Sequence, residues 1–291
     1  MKASETLRAP AKLNLTLEVL AQRADGLHGV RSVMVPVDLC DELEIESANE
    51  FRFVCDAPEL AGNNLVERAV RALDVNVPNV HILLRKRIPT GAGMGGGSSD
   101  AAAVLLAAQR GVFGVRRSDF LAIARSLGSD VPFFLAETAA LVESTGERVT
   151  ALGALPPWHA LVIKPPVSIS TAWAYRQIDE SPRPSRPRNS SISLAMAEAL
   201  QRREFQRVES LLQNDFHDAI VPAVPEIARA LEVLRNAGAT QAVLTGTGSC
   251  VFTLAQTREK RDELAERVAL PDGYRLYACA FWNGEPWRSA A

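Results

Sequence analysis

Apolar and polar residues alternate strictly from residue 12 to 19, Lys-Leu-Asn-Leu-Thr-Leu-Glu-Val, which is the two-residue period of a half-buried strand. Leu13, Leu15, Leu17 and Val19 take one face; Lys12, Asn14, Thr16 and Glu18 take the other. That polar face reads as solvated at Thr16 and Glu18. Lys12 and Asn14, about 7 Å apart on it, follow Ala-Pro-Ala at the strand's start, where a site has room to open. Further strands are predicted over 30–39, 41–46, 51–55, 80–84, 139–142, 158–163, 251–254 and 274–282. Helical patterns are predicted over 65–73 behind Asn63-Asn64, 101–108, 120–127 behind Ser118 or Asp119, 194–211, 227–237 and 258–268. No internal repeat interrupts this mixture.

Residues 89–103 read Pro-Thr-Gly-Ala-Gly-Met-Gly-Gly-Gly-Ser-Ser-Asp-Ala-Ala-Ala. They join the 80–84 strand to the Ala-rich helix, with Ser98, Ser99 and Asp100 where an N-cap belongs. A tight turn needs one or two glycines; five within seven positions point instead to a backbone that approaches a ligand closely. The start of a helix presents unpaired N–H groups and the positive end of its dipole, which suits phosphate. The dinucleotide fingerprint fits by letter, but the acid about 20 residues on belongs to a second strand, and Asp119 introduces a helical stretch. A Walker A loop lacks its Gly-Lys-Ser/Thr, and the protein-kinase loop lacks its Val-Ala-Ile-Lys strand.

Thr245-Gly-Thr-Gly-Ser-Cys250 is a second glycine loop, entered from Ala242–Leu244 and followed by the 251–254 strand. A hairpin turn accounts for it alone; beside the first loop it suggests two domains contributing to one cleft. Asp130, in Gly-Ser-Asp-Val-Pro, reads equally as a helix cap or as a catalytic carboxylate. His28, after Asp25-Gly26, reads on its own as a loop histidine. The Pro/Arg-rich stretch 181–189 cannot be a regular element.

A length of 291 residues suits two domains. The net charge of −2 gives no general attraction to nucleic acid or to an anionic membrane. Four dispersed cysteines, without Cys-x-x-Cys, read as buried thiols in a reducing compartment. With no secretory pattern and no apolar run of membrane-spanning length, the expectation is a soluble cytoplasmic protein.

Three separated motifs resemble the GHMP small-molecule kinases: Pro-Ala-Lys12-Leu-Asn14-Leu, the 89–99 glycine run, and Leu-Thr-Gly-Thr-Gly-Ser-Cys-Val over 244–251. Arg-Ala-Asp-Gly-Leu-His (23–28), Asn-Asn-Leu-Val (63–66), Gly-Ser-Asp-Val-Pro (128–132), Val-Ser-Ile-Ser-Thr (167–171) and Asn-Asp-Phe (214–216) resemble the branch whose alcohol substrate carries a cytidine diphosphate. The resemblance implies an α+β, two-domain fold. Residues 1–155 would form an N-terminal ribosomal-protein-S5-like domain that binds ATP, and 156–291 a C-terminal ferredoxin-like domain. It implies Lys12 and Asp130 as the catalytic pair. ATP would lie against Asn64, Pro89, Thr90, Gly91, Ala92, Gly93, Met94, Gly95, Gly96, Gly97, Ser98 and Ser99, with Mg²⁺ accompanying it and no protein ligand named. The substrate would meet Asn14, Leu27, His28, Thr171, Tyr175, Gly246, Thr247 and Gly248. Leu27 departs from the branch, which carries an aromatic there. The partner is a small molecule, and the expected assembly a monomer or weak homodimer. The rival expectations are another GHMP kinase, acting on homoserine, mevalonate or a sugar, and a nucleotide-binding regulator without turnover.

Overall fold

The computed structural model describes residues 4–24, 26–57, 60, 62, 64–73, 80–113, 119–180 and 191–282. Asp25, Asn63, Ser118 and the 181–189 stretch lie outside the described residues.

Two long antiparallel strands form the spine, β1 (Ser4–Gln22) and β2 (His28–Ser47). The sequence pattern divides β2 at residue 40. In the structure the ladder runs straight through, pairing Cys40 with Pro10 and Asp41 with Ala9, and a register shift between Pro10 and Ala11 absorbs the irregularity. β4 (Val80–Arg85) adds to one part of β2 and pairs in parallel with β3 (Arg52–Cys55). β5 (Ala139–Ser144) adds to the His28 end of β2, and β6 (Arg148–Gly153) pairs with β5. β6 escapes the sequence reading because its Arg-Val-Thr-Ala-Leu-Gly run is short and mostly exposed, and its two large apolar residues, Val149 and Leu152, fall on opposite faces.

Helices α1 (Leu65–Ala72), α2 (Gly96–Gln109), α3 (Phe120–Leu127) and α4 (Val131–Leu135) share one apolar core with this sheet. Every residue of α2 from Ser99 to Ala108 is buried, the mark of a central helix rather than an amphipathic surface one.

The second sheet is antiparallel throughout, in the order β11 (Arg275–Ala280), β7 (His159–Lys164), β10 (Val251–Ala255), β9 (Val243–Leu244). Taken in chain order this is 4-1-3-2, the ferredoxin-like arrangement. α9 (Pro225–Asn236) and α10 (Arg258–Glu266) pack on it. α5 (Thr171–Glu180), which sequence periodicity did not reveal, and α8 (His217–Ile220) pack together beside this sheet. The helical stretch 194–211 is two helices, α6 (Ile192–Gln201) and α7 (Phe205–Ser210). Between them Arg203 takes φ +58°. Glu204 N–H then bonds Ala199 O and Arg203 N–H bonds Leu200 O, a Schellman closure achieved without the glycine that would announce it.

The halves are not independent. β8 (Gln213–Asn214) joins β1 in parallel. Leu13, Leu15 and Val35 share a core with Trp158, Val162 and Phe252. This covering corrects the reading of β1. Thr16 is 0% and Glu18 3% exposed, so the polar face is buried, not solvated. Its groups are satisfied by the N-terminus of α6. Thr16 Oγ1 donates to Ser193 Oγ at 2.9 Å, and Glu18 Oε2 accepts from Ser191 Oγ at 2.7 Å and Ser193 N–H at 3.1 Å. Among the described residues no helix is long and apolar enough to cross a membrane.

Candidate active site

The 89–97 run leads from β4 into α2, whose N-cap is Gly95 at φ +73°. Ser98, Ser99 and Asp100 therefore sit inside the first helical turns, not at the cap that the sequence suggested. Ser99 N–H makes the helix's first internal bond, to Gly95 O at 2.9 Å. The N–H groups of Gly96, Gly97 and Ser98 have no partner one turn back, and all three residues line a cavity of about 910 Å³.

The second glycine loop closes on the first. It links β9 to β10, so it is a hairpin connection and a cavity wall at once. Cys250 N–H bonds Ala92 O at 3.2 Å, and Thr245 Oγ1 donates to Gly93 O at 3.3 Å. Gly93, at φ +74°, sits so close that a β-carbon there would collide with Thr245 O.

Lys12 and Asp130 meet in this cavity, Nζ to Oδ2 3.7 Å. Asp130 does occupy the N-cap position of α4, but its carboxylate makes no capping bond and instead faces Lys12 in the cavity. Lys12 is 3% exposed. Burial pushes its ammonium below the usual lysine value, and the charge of Asp130 opposes that shift. Asn14 Oδ1 accepts from Lys12 Nζ at 2.5 Å and from Gly246 N–H at 2.8 Å. Asn214 Nδ2 donates to Gly246 O at 2.8 Å, holding the same loop from its other side.

One end of the cavity is aromatic. His28, the first residue of β2, stacks on Tyr175 of α5 with centroids 5.6 Å apart, and Tyr175 meets Phe216 edge-on. His28 Nδ1 faces Leu20 O at 3.0 Å, and its Nε2 lies 2.9 Å from Asp179 Oδ1. Burial, then the charge of Asp130, raises the Tyr175 phenol. Leu27, 57% exposed, and Thr171 complete this end. Asn64, which also lines the cavity, caps α1 through Oδ1, which accepts from Val66 N–H at 2.9 Å.

Two family models match the chain, "GHMP kinases N terminal domain" over 64–138 and "GHMP kinases C terminal" over 196–271. A protein of Pseudothermotoga lettingae named 4-diphosphocytidyl-2-C-methyl-D-erythritol kinase is 37% identical over 262 residues, covering 88% of this chain and 94% of its own. A protein of the same name from Symbiobacterium thermophilum is 41% identical over 270 residues, covering 89% and 93%. The chain belongs to the GHMP kinase family. A crystal structure of 4-(cytidine 5'-diphospho)-2C-methyl-D-erythritol kinase superposes with TM-score 0.77 at 34% identity, over 96% of this chain and all of the other.

GHMP kinases draw their phosphate from ATP, and an open helix N-terminus bordering a large cavity fits a triphosphate. Of the residues that the sequence assigned to the GHMP kinase site, Lys12, Asn14, Leu27, His28, Asn64, Pro89 to Ser98, Asp130, Thr171, Tyr175 and Gly246 to Gly248 line this one cavity. Ser99 does not: it is 0% exposed and its hydroxyl is buried in the protein.

The sequence reading missed Lys86. It donates to Asp41 at 2.5 Å and to Asp100 at 2.7 Å, and Lys86 and Asp100 both border the cavity. Burial opposes the Lys86 charge, but Asp100 and Asp41 outweigh it and hold its pKa above the usual value. Burial also raises Asp100 well above the carboxylate range, with Lys86 opposing. Asp41 fixes the entry to the glycine run by accepting the N–H groups of Arg87 at 2.5 Å and Ile88 at 2.8 Å. In the sequence Lys86 is hidden between two arginines that end a strand. Among the described residues no three His, Cys, Asp or Glu side chains cluster as metal ligands.

Proposed function

We propose that this GHMP kinase transfers phosphate from ATP to the 2-hydroxyl of 4-diphosphocytidyl-2-C-methyl-D-erythritol, a step of non-mevalonate isoprenoid synthesis. The observation that carries this reading is the Lys12–Asp130 pair, 3.7 Å apart, in the cavity that the helix N-terminus and the His28–Tyr175 stack share. The names and identities of the relatives support the substrate.

ATP, when bound, supplies the phosphoryl group. The N–H groups of Gly96, Gly97 and Ser98 hold its phosphates, with Pro89 to Gly95 shaping the wall and Asn64 toward the base. Asp130 accepts the proton of the substrate hydroxyl as that oxygen becomes a nucleophile. Lys12 stabilises the negative charge developing beside it; in phosphoryl transfer, positioning and charge stabilisation supply most of the catalysis. Asn14 and Gly246 to Gly248 position the polyol, while Leu27, His28, Thr171 and Tyr175 receive the cytidine end. Mg²⁺ would accompany the nucleotide, with water and phosphate oxygens as most of its ligands. Division of the chain at 155/156, between β6 and β7, a cytoplasmic location and a monomeric or weakly dimeric state belong to the same proposal.

The test is ADP release with 4-diphosphocytidyl-2-C-methyl-D-erythritol, homoserine, mevalonate and a sugar panel. Turnover confined to the cytidyl alcohol supports the proposal. Preferential turnover of another alcohol overturns the substrate, and ATP-induced thermal stabilisation without ADP release on any alcohol overturns the chemistry.

A further inference from the structure

The orientation of the Asn14 amide is dictated by its neighbours. Lys12 Nζ and Gly246 N–H can only donate, so the atom 2.5 Å and 2.8 Å from them is the amide oxygen. The amide nitrogen then faces Ser32 Oγ at 2.8 Å, and Ser32 must accept. The Ser32 proton is committed elsewhere, to Thr16 O at 2.6 Å. Every bond in this line, from the ammonium to the β1 backbone, has one possible direction.

The strand is shaped for it. The β1–β2 register shifts between Asn14, paired with Met34, and Thr16, paired with Val33, so Leu15 is an extra residue. Such a bulge re-aims side chains next to a site. Val33 N–H turns to Thr16 Oγ1 at 3.1 Å, and the Thr16 carbonyl takes the serine hydroxyl. Ser32 is 0%, Thr16 0% and Asn14 1% exposed, so water cannot replace a lost partner.

We propose that Ser32 is a positioning residue for phosphoryl transfer, whose hydroxyl holds the oxygen of the Asn14 amide against the Lys12 ammonium. The proposal rests on the kinase reading for Lys12 but concerns a residue outside the cavity lining. Without the hydroxyl the Asn14 NH₂ is left unpaired in a dry site. The amide is then fixed at its oxygen side alone, by Lys12 and Gly246 N–H, and its oxygen is held less closely against Lys12. Asp130 is the charged group facing Lys12, and as the amide acceptor loosens, the ammonium depends more on Asp130 alone.

Two readouts test this on the full-length protein, the pH dependence of kcat and the pH titration of the Lys12 side-chain NH₃⁺ followed by ¹⁵N NMR. Ser32→Ala is expected to lower kcat by about ten- to a hundredfold, leave the KM for ATP near wild type, and move the Lys12 midpoint down by about one pH unit. Ser32→Cys, close in volume but a weak hydrogen-bonding group, should behave as Ser32→Ala and serves if that variant does not fold. Ser32→Thr, which keeps the hydroxyl, should restore both readouts. Wild-type kcat and an unmoved Lys12 midpoint in Ser32→Ala or Ser32→Cys overturn the proposal. So does a loss of activity with the midpoint unmoved, or a Ser32→Thr variant no better than Ser32→Ala. If the wild-type chain turns over no alcohol, the kinase reading fails by itself, and the NH₃⁺ titration still decides whether Ser32 sets the state of Lys12.

Discussion

The carbonyl oxygen of Thr245 occupies the space that a β-carbon on Gly93 would need. Through that contact the two glycine loops, about 150 residues apart in the chain, form one wall. Gly93→Ala should lower stability by about 2–4 kcal/mol, from strain at positive φ plus displacement of the Thr245 loop. Gly153 has φ +86° with nothing within 4 Å of its would-be β-carbon, so Gly153→Ala should cost about 1 kcal/mol, the backbone penalty alone. Denaturant melts measure the difference; equal losses would mean that loop contact contributes nothing.

Removing either charge of the central pair should leave the fold intact and the chemistry crippled. Asp130→Ala is expected to lower kcat by about 10²–10⁴-fold, and Lys12→Ala by a comparable factor. Steady-state kinetics on variants with native circular dichroism decide. A folded Asp130→Ala enzyme with near-normal kcat would remove the carboxylate from the mechanism.

Glu147 in the β5–β6 turn provides a pH signature. Burial acts to raise its pKa, but bonds from Ser144, Thr145 and the local backbone prevail and depress it to about 2. Thr145 N–H and Oγ1 donate at 2.8 and 2.7 Å. A depressed carboxylate stabilises the fold above its unfolded pKa of about 4.3, and that stability fades as pH falls toward about 2. Glu147→Gln should therefore cost about 1 kcal/mol at pH 7 and progressively less between pH 4 and 2. Urea melts across that range test it, and a pH-independent difference would refute the assignment.

Leu27 stands at the cavity rim where an aromatic ring would add a stacking face. Leu27→Tyr should lower the KM of the cytidyl alcohol by about two- to tenfold and leave the KM of ATP unchanged. An unchanged substrate KM would mean that the cytosine is gripped elsewhere, by His28 and Tyr175.

Thiol chemistry should single out one cysteine. Burial pushes the Cys40 and Cys250 thiols up to about 12 and raises Cys279 further. Cys55 is raised too but is half-buried. A maleimide should modify Cys55 first in the native protein and all four in urea; rapid native labelling of Cys250 would contradict the packing around the second glycine loop.

The sequence by itself determined the local devices. Alternation located the middle of β1 with Lys12 and Asn14, although the strand begins at Ser4, eight residues before Lys12; five glycines marked the loop that opens the N-terminus of α2 to the cavity, and Asn64 announced α1; each depends on period, cap chemistry or backbone freedom, all confined to a few neighbouring residues. Only the tertiary structure decided what those devices face. Thr16 and Glu18 look solvent-facing until α6 covers them, Ser99 looks like a ligand until α2 begins three residues earlier, and Lys86 looks like a strand-end charge until Asp41 and Asp100 close around it. Burial and Coulomb pairing between residues remote in the chain are properties of the assembled core. The same holds for Ser32, ordinary in its strand, whose hydroxyl acquires a direction only when two strands and a distant loop converge on Asn14.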